Sequence, residues 1–370
     1  MYWTAFIGLF FDYYDLYLFI YLERALATQF ALGEIASHWL QFTGLAGVGF
    51  GALGFGYLAD RIGRGRTMLV VFGVYVLGIA GLSLAWSFES LLVFRLVASL
   101  ALGAEWGISH TYLAERVRGA VRYRFSALLQ FSILGGLLAA LMSKFALPLL
   151  GWRVLFAASI VPVVILSLVR WKMLAGGPAT ERRESPDRLQ PAVAKKLPAF
   201  LLCLALASLT IASGTMNVFY AKELPQSTVY TVLFWGLVAP GMLTGAWLVK
   251  RFGVGRTLAI YAVCLAALSL GCGLGGWSGR KLAFALGLAL INGVPFGLMG
   301  AFFNEVFAEY RTMLSGAAYN LGRVLAGSAP WLVAALGLHT GDRYVVFTAI
   351  LAALVLLISV AVAKISRELK

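Results

Sequence analysis

Five ionisable residues lie within long apolar stretches of this 370-residue chain, and their types suit the binding of protons and acids. Asp12 and Asp15 are three positions apart, which places both carboxylates on one face of a helix. A carboxylate in a low-dielectric environment can hold a proton at physiological pH. A second stretch carries Arg95 and Glu105 and a third carries Arg323; a guanidinium binds an acid through two parallel hydrogen bonds. The set predicts a site that binds a proton and an organic acid.

The apolar stretches that carry these residues are long enough to cross a membrane. The composition is 61% apolar and 12% charged, whereas soluble domains average about 45–50% and about 25%. A helix needs about 20 apolar residues to cross the hydrocarbon core. The composition excludes a soluble enzyme and a disordered chain, and it predicts an all-α integral membrane protein with twelve transmembrane helices. The predicted spans lie near residues 3–22, 39–58, 68–86, 90–113, 124–149, 152–172, 198–220, 228–249, 257–277, 281–304, 313–337 and 343–363.

The positive charge of the chain indicates its topology. The formal net charge is +14, and most of the 30 lysines and arginines follow even-numbered spans. Because such residues are enriched in cytoplasmic loops, we expect a multi-pass protein of the inner cell membrane with both termini in the cytoplasm. The alternation argues against nucleic acid as a partner. The expected partners are a small-molecule substrate, namely an organic anion, and membrane lipid, and the expected functional unit is the monomer.

The sequence also repeats itself at a fixed spacing, which we call the repeat offset. Residues 61–67 read RIGRGRT and residues 251–257 read RFGVGRT, and the spacing between these two segments also relates Gly103 to Gly293. Such a repeat predicts two halves of six spans with the same orientation, and a site near the midplane between them. The predicted organisation is an N-terminal half at 1–172, a cytoplasmic linker at 173–197 and a C-terminal half at 198–370.

The loop after the second span resembles a motif of the major facilitator superfamily, written G-x-L-x-D-R-x-G-R-[KR]-x. The matching residues run from Gly56 to Arg66, and a second basic residue of the motif is replaced by Gly65. The resemblance implies the major facilitator fold and secondary transport by alternating access. On physical grounds, Asp60 can interact with a helix N-terminus or with a neighbouring arginine. The motif and its degenerate copy imply gating roles for Gly56, Asp60, Arg61, Gly63, Arg64, Arg66 and Arg251.

Two further pairs of charges resemble elements at the cytoplasmic ends of spans 4 and 10 in sugar and metabolite porters. Glu115 precedes Arg122 by seven positions, and Glu305 precedes Arg311 by six. The resemblance predicts that these residues form salt bridges of a gate.

Two short motifs resemble those of proton symporters. The run from Phe11 to Leu16 resembles the D-G-[FY]-D signature of aromatic acid:proton symporters, and Glu105-Trp106-Gly107 resembles the G-G-E-[WY]-G segment of metabolite:proton symporters. These resemblances imply proton coupling by Asp12, Asp15 and Glu105. The predicted substrate-binding residues are Arg95, Arg323, Tyr14, Trp106, Tyr319 and Asn320.

The roles of the intramembrane arginines have alternatives. Arg323 could bind a substrate carboxylate or form a salt bridge with an aspartate of span 1, and both could occur in different conformational states. The alternative for the aspartates of span 1 is a structural pairing with Arg323 or Arg95.

The function predicted from these residues is proton-coupled symport of a small organic anion by alternating access. The alternatives are a sugar or polyol:proton symporter and a drug/proton antiporter. The antiporter is disfavoured because the fifth span, around Ser132 to Gly136, lacks the G-P-x-x-G-G element of that group. The three histidines and three cysteines form no catalytic or metal-ligand pattern in the sequence, so we expect no enzyme activity, metal or cofactor beyond the proton as coupling ion.

Overall fold

The computed structural model of this chain is helical in every regular element that it describes. The described residues are 2–119, 121–175, 189–222, 227–274, 279–329, 332–333 and 343–368. The helices are α1 Tyr2–Gln29, α2 Glu34–Ile62, α3 Arg64–Ser83, α4 Phe88–Arg116, α5 Val121–Gln130, α6 Gly135–Leu141, α7 Leu147–Ala175, α8 Leu189–Lys222, α9 Ser227–Phe252, α10 Val254–Leu274, α11 Gly279–Val306, α12 Arg311–Gly327 and α13 Arg343–Glu368. A 3₁₀ turn at Phe131–Leu134 separates α5 from α6, and a π-helical turn at Met142–Ala146 separates α6 from α7.

These helices agree with the predicted membrane spans. Within the described ranges, ten helical stretches are long and apolar enough to cross a membrane. One of them, Val121–Val169, covers the fifth and sixth predicted spans together. The eleventh predicted span is described as a helix over Arg311–Gly327, which is 17 residues long. The ten stretches are therefore consistent with twelve spans.

A single glycine connects two consecutive helices in each copy of the repeated motif. Gly63 lies between α2 and α3 with φ of 93°, and Gly253 lies between α9 and α10 with φ of 81°. Side chains other than glycine rarely adopt such angles. The shared spacing of the two copies thus produces the same tight turn twice.

The chain forms two compact units, which we call unit 1 and unit 2. Each unit includes a short segment from a distant part of the sequence. Unit 1 comprises Met1–Tyr112, Ser132–Arg188 and Glu309–Asn320, and unit 2 comprises Leu113–Phe131, Leu189–Ala308 and Leu321–Lys370. Much of the predicted linker, residues 176–188, lies outside the described residues. The division into halves at 1–172 and 198–370 stays a prediction.

The repeat offset appears again in the packing inside each unit. In unit 1, a Cβ at Gly103 of α4 would overlap the carbonyl oxygen of Val48 on α2, and in unit 2 a Cβ at Gly293 of α11 would overlap the carbonyl oxygen of Val238 on α9. Both residues of the first pair are related to those of the second by the repeat offset. Small residues let membrane helices approach closely, so these glycines set the α2–α4 and α9–α11 contacts in the same way.

A second repeated contact fixes the neighbouring helix pairs. Gly81 on α3 lies against the ring of Phe94 on α4, and Gly271 on α10 lies against the ring of Phe284 on α11. These positions are also related by the repeat offset. The two units therefore share one packing register across three helices.

Candidate functional site

The interior of unit 1 holds a buried carboxylate and a buried guanidinium on neighbouring helices. Asp15 on α1 is 1% exposed and Arg95 on α4 is 5% exposed. The guanidinium carbon of Arg95 lies 3.7 Å from the ring centroid of Phe19, one helical turn after Asp15. Gly44 on α2 provides the space, because a Cβ there would lie 2.6 Å from Nε of Arg95. The burial of both charged groups is thus built into α1, α2 and α4.

Asp15 and Arg95 interact electrostatically, but they do not form a direct hydrogen bond with each other. The Arg95 charge and the Ser159 hydroxyl of α7 both act on the Asp15 carboxylate. That hydroxyl donates to the carbonyl of Phe156 at 2.7 Å. Among the described residues, none donates a hydrogen bond of standard geometry to either Asp15 oxygen or accepts one from Nε of Arg95. Each group therefore has capacity for a further partner.

The other predicted proton-coupling residues also lie in unit 1. Glu105 on α4 is buried, and its Oε1 accepts a hydrogen bond from the hydroxyl of Ser109 at 3.2 Å. Asp12 is half-buried on α1. Tyr14, predicted to bind substrate, donates its hydroxyl to the carbonyl of Leu155 on α7 at 3.3 Å. In the structure, the hydroxyl of Tyr14 is therefore engaged with the backbone of α7.

Aromatic side chains of α1, α4 and α12 stack inside unit 1. The rings of Trp106 and Tyr319 are parallel within 3°, with centroids 3.8 Å apart. The Tyr319 hydroxyl lies 3.2 Å from that of Tyr13, and the His110 ring lies 4.4 Å from that of Trp106. Sequence reasoning proposed Trp106 and Tyr319 but missed Tyr13, whose position inside the Asp12–Asp15 motif was the available signal. The stack places the two predicted aromatic residues in direct contact.

Asn320 holds α12 against α4. Its amide Nδ2 donates to the carbonyl of Gly103 at 2.9 Å and to that of Gly316 at 3.1 Å. The helices approach closely at two glycines, since a Cβ at Gly107 would lie 3.0 Å from Cα of Gly316. The amide of Asn320, predicted to bind substrate, is therefore engaged with backbone in this structure.

Asp60 caps the N-terminus of α12 within unit 1. Its Oδ1 accepts a hydrogen bond from the backbone N–H of Thr312 at 3.2 Å, and its Oδ2 accepts one from Met313 at 2.9 Å. Arg64 also donates to Oδ1 at 3.0 Å. Gly56 is needed for this approach, because a Cβ there would lie 2.8 Å from Cα of Met313. Both partners considered for Asp60, a helix N-terminus and a neighbouring arginine, are present together.

The remaining loop-motif residues lie around this cap. The ring of Tyr57 stacks on that of Tyr310 within 10°, and the guanidinium of Arg61 lies 5.1 Å from the Tyr57 centroid. Arg66 is exposed. In the second copy of the motif, Arg251 is exposed and contacts the rings of Trp247 and Phe252.

In unit 2, two of the predicted gate charges, Arg122 and Glu305, form an ion pair with each other. Arg122 at the start of α5 donates to Oε1 of Glu305 at the end of α11, at 3.3 Å. Tyr123, which sequence reasoning missed, donates to Oε2 of Glu305 at 2.6 Å. These contacts form because α5 packs on α11 in unit 2. Glu115 is half-buried in unit 2, whereas Arg311 belongs to unit 1.

Arg323 is half-buried on α12 in unit 2, whereas Asp12, Asp15, Arg95 and Glu105 lie in unit 1. The two roles considered for Arg323 stay predictions. Among the described residues, no group of three or more His, Cys, Asp or Glu side chains is arranged to hold a metal ion.

Comparison with known proteins agrees with the helical architecture. The family model described as Major Facilitator Superfamily matches residues 5–330. The niacin transporter NiaP of Acinetobacter baylyi is 25% identical over 95% of this chain and 90% of its own, and the cis,cis-muconate transport protein of that species is 26% identical over 88% and 84%. The solved structure of the proton:xylose symporter XylE has a TM-score of 0.77 at 16% identity, over 98% of this chain and 94% of its own.

Proposed function

Because this chain belongs to the major facilitator superfamily, we propose that it is a symporter that moves a small organic anion together with a proton by alternating access. The predicted twelve-helix fold is confirmed by the family match and the structural likeness. The protein is a multi-pass membrane transporter of a small molecule and not an enzyme, since its relatives are named as transporters. The observation that carries the proposal is the burial of Asp15 and Arg95 in unit 1.

The proton side of the proposal follows from the surroundings of Asp15. An ionised carboxylate inside a membrane helix costs about 2.5–3.5 kcal/mol on insertion scales. No described residue donates a hydrogen bond of standard geometry to Asp15 that would offset this cost. Protonation removes the charge, and deprotonation is supported by the nearby charge of Arg95. Asp15 is therefore suited to bind and release the coupled proton, with Asp12 and Glu105 in the same unit as further carriers.

The anion side follows from Arg95. A guanidinium stays protonated in proteins, so its charge needs an anionic partner throughout the cycle. When Asp15 is ionised it supplies that charge, and when Asp15 is protonated a substrate carboxylate can supply it. Proton binding and anion binding then favour each other, which is the free-energy coupling that symport requires.

The Asp60 cap and the Arg122–Glu305 ion pair are the contacts to which we assign gating. Asp60 binds the first turn of α12, and the Arg122–Glu305 pair joins α5 to α11. Such contacts stabilise one conformational state, and we propose that they break and reform during the transport cycle. We further propose that the protein works as a monomer in the inner cell membrane, surrounded by lipid, with both termini in the cytoplasm.

The substrate class is supported by the names of the relatives. Niacin and cis,cis-muconate, which name two of them, are both organic acids. The structural likeness to a xylose symporter is at 16% identity and supports the fold alone. The guanidinium of a buried arginine also binds a carboxylate more strongly than it binds a neutral sugar.

Uptake into proteoliposomes tests the proposal. Labelled nicotinate, benzoate, muconate and xylose are supplied with and without an inward proton gradient. We expect the gradient to drive accumulation of at least one carboxylate and to leave xylose uptake at the level of empty liposomes. Gradient-driven uptake of xylose alone would support the sugar symporter instead, and carboxylate uptake that ignores the gradient would contradict proton coupling.

A further inference from the structure

Four exposed cations lie at one end of unit 2, where two helices end and a third begins. Arg251 is in the last turn of α9, Arg256 is in the first turn of α10, and Lys364 and Arg367 are in the last two turns of α13. The side chains of all four are exposed. We call these four residues the basic patch.

The backbone brings the three helix ends together. Gly253 alone connects α9 to α10, and a Cβ at Gly255 in the first turn of α10 would overlap Cβ of Ala363 on α13. Lys364 directly follows Ala363. Arg367 lies one turn later, on the face of α13 that carries Ala363. The cations of α10 and α13 are therefore neighbours on the surface of unit 2.

Exposed apolar side chains lead along the helices towards the basic patch. On α13, Leu357 is 71% exposed and Val360 is 73% exposed, and Lys364 follows Val360 by one turn. On α9, the guanidinium of Arg251 lies 5.7 Å from the ring centroid of Trp247, which is 55% exposed. Tryptophan is enriched where a membrane meets water. The order of apolar, aromatic and basic groups matches the order of acyl chain, interface and phosphate in a phospholipid.

The other copy of the repeat shows that the fold does not require these cations. At the repeat offset, Lys364 corresponds to Leu174. The turn between α2 and α3 in unit 1 carries a paired acid and base, because Arg64 donates to Asp60. The position of Asp60 is occupied by Lys250 in unit 2, so the matching turn lacks that acid. The positive charge is thus a property of unit 2 and not of the repeated scaffold.

We propose that the basic patch binds the phosphate of an anionic phospholipid, with the acyl chains lying along the exposed apolar residues of α13. Lysines and arginines at a membrane surface attract anionic lipids, and a guanidinium can bind a phosphate through two hydrogen bonds. Among the described residues of the three helix ends, the single acid is the exposed Glu368, so cations outnumber acids. The inference goes beyond the proposed function, because it depends on the surface of unit 2 and not on the transported molecule.

Lipid binding by the purified full-length chain tests the inference. Native mass spectrometry in detergent measures the Kd for phosphatidylglycerol and for phosphatidylcholine with the same acyl chains. The wild-type protein is expected to bind the anionic lipid about tenfold or more tightly than the zwitterionic one. The triple variant Arg256→Gln, Lys364→Gln, Arg367→Gln should bring this ratio close to one. Because these three side chains are exposed, the variant should keep the wild-type Tm.

A matched control removes two arginines and one lysine elsewhere. Arg118, Arg124 and Lys172 are also exposed, at or beside the ends of α4, α5 and α7. The triple variant Arg118→Gln, Arg124→Gln, Lys172→Gln has the same net charge as the patch variant. It is expected to keep the wild-type preference for phosphatidylglycerol.

A soluble competitor distinguishes a lipid from a free anion. Glycerol 1-phosphate carries the phosphate without the acyl chains. At a concentration equal to that of the lipid, it should leave phosphatidylglycerol bound, because it cannot contact the apolar residues of α13.

Four results would overturn the inference. They are a wild-type protein without preference, a patch variant that retains the preference, a control variant that loses it to the same extent, and displacement of the lipid by equimolar glycerol 1-phosphate. The last would mean that the patch binds soluble phosphates. These measurements involve no transport, so failure of the wild-type protein to take up any organic acid would overturn the proposed function alone.

Discussion

The interiors of the two units differ in chemistry although their helices pack in the same register. Arg95 and Glu105 of unit 1 correspond to Ala285 and Pro295 of unit 2 at the repeat offset. Conversely, Leu102 of unit 1 corresponds to Asn292 of unit 2. Unit 1 therefore buries charges where unit 2 has apolar residues, and unit 2 buries an amide where unit 1 buries a leucine. The scaffold repeats, whereas the polar chemistry of each unit is its own.

The interiors of the two units therefore differ in how far their interactions depend on protonation. Charged groups suit the coupling of a proton to an anion, since their interactions change with protonation. Neutral amide and hydroxyl groups, such as those of Asn292 in unit 2, form hydrogen bonds that do not depend on protonation near neutral pH. Variants that move one unit towards the chemistry of the other provide the sharpest tests of this comparison.

The largest effect is expected from Asp15→Asn, which removes the titratable group of unit 1. The variant retains a side chain of similar size but cannot carry a proton. Accumulation driven by a proton gradient should fall to equilibration, while exchange of labelled for unlabelled substrate continues. Both are measured in the same proteoliposomes.

Glu89→Gln provides the control for Asp15→Asn. Glu89 is an exposed carboxylate in the first turn of α4, away from the interior of unit 1. Its neutralisation should leave accumulation at the wild-type level. Wild-type accumulation in Asp15→Asn would show that the buried carboxylate of unit 1 is not required for coupling.

The next effect is expected from Arg95→Ala, which gives unit 1 the residue found at position 285 of unit 2. Loss of the guanidinium leaves Asp15 without its compensating charge, at a cost of about 3 kcal/mol in the free energy of unfolding. Thermal unfolding in detergent should show a lower Tm for each of the single variants Arg95→Ala and Asp15→Asn than for the wild type, because each leaves one buried group without its partner. The double variant should regain much of this loss, because it removes both charges.

Additive effects of Asp15→Asn and Arg95→Ala would contradict an electrostatic coupling between the two residues. Non-additive effects would support the electrostatic coupling between Asp15 and Arg95. Such a coupling would be specific to unit 1, because Ala205 and Ala285 occupy the corresponding positions of unit 2.

A smaller decrease in Tm, of similar size in both units, is expected when the repeated glycine contacts between helices are overpacked. Gly103→Ala and Gly293→Ala each place a Cβ against a backbone carbonyl oxygen, that of Val48 in unit 1 and that of Val238 in unit 2. Overpacking of this kind costs about 1–3 kcal/mol. We expect similar decreases in Tm for the two variants, with Gly73→Ala, which meets open space on α3, as a control. Strongly unequal effects would show that the repeated register is not equally important in the two units.

The sequence allowed the scaffold to be predicted better than the contacts of the site. The membrane spans and the glycine turns could be predicted because short segments of the sequence show them by their hydropathy and glycine positions. The repeat register could be predicted because two similar segments recur at a fixed spacing. The contact of Tyr13 with Tyr319 and the pair of Arg122 with Glu305 join residues 306 and 183 positions apart. Such partners depend on which helices pack against each other. The hydropathy of the sequence is compatible with many arrangements of the helices, so it does not identify these partners. For Asp60, the type of partner could be predicted because a carboxylate favours helix N-termini and arginines.

The smallest effect is expected from Asp60→Asn, which tests a contact specific to unit 1. Asparagine caps helices about as well as aspartate, so α12 should keep a hydrogen-bonded first turn. The variant loses the charge that interacts with the helix dipole and with Arg64, which is worth about 1 kcal/mol. Expression and Tm should remain near wild type, while turnover slows several-fold because the conformational equilibrium shifts. In unit 2 the position at the same offset is Lys250, which carries the opposite charge and lies exposed at the end of α9. Lys250→Gln should therefore leave turnover unchanged, and equal slowing by both variants would mean that loss of any charge at these helix ends, rather than the cap on α12, controls the rate.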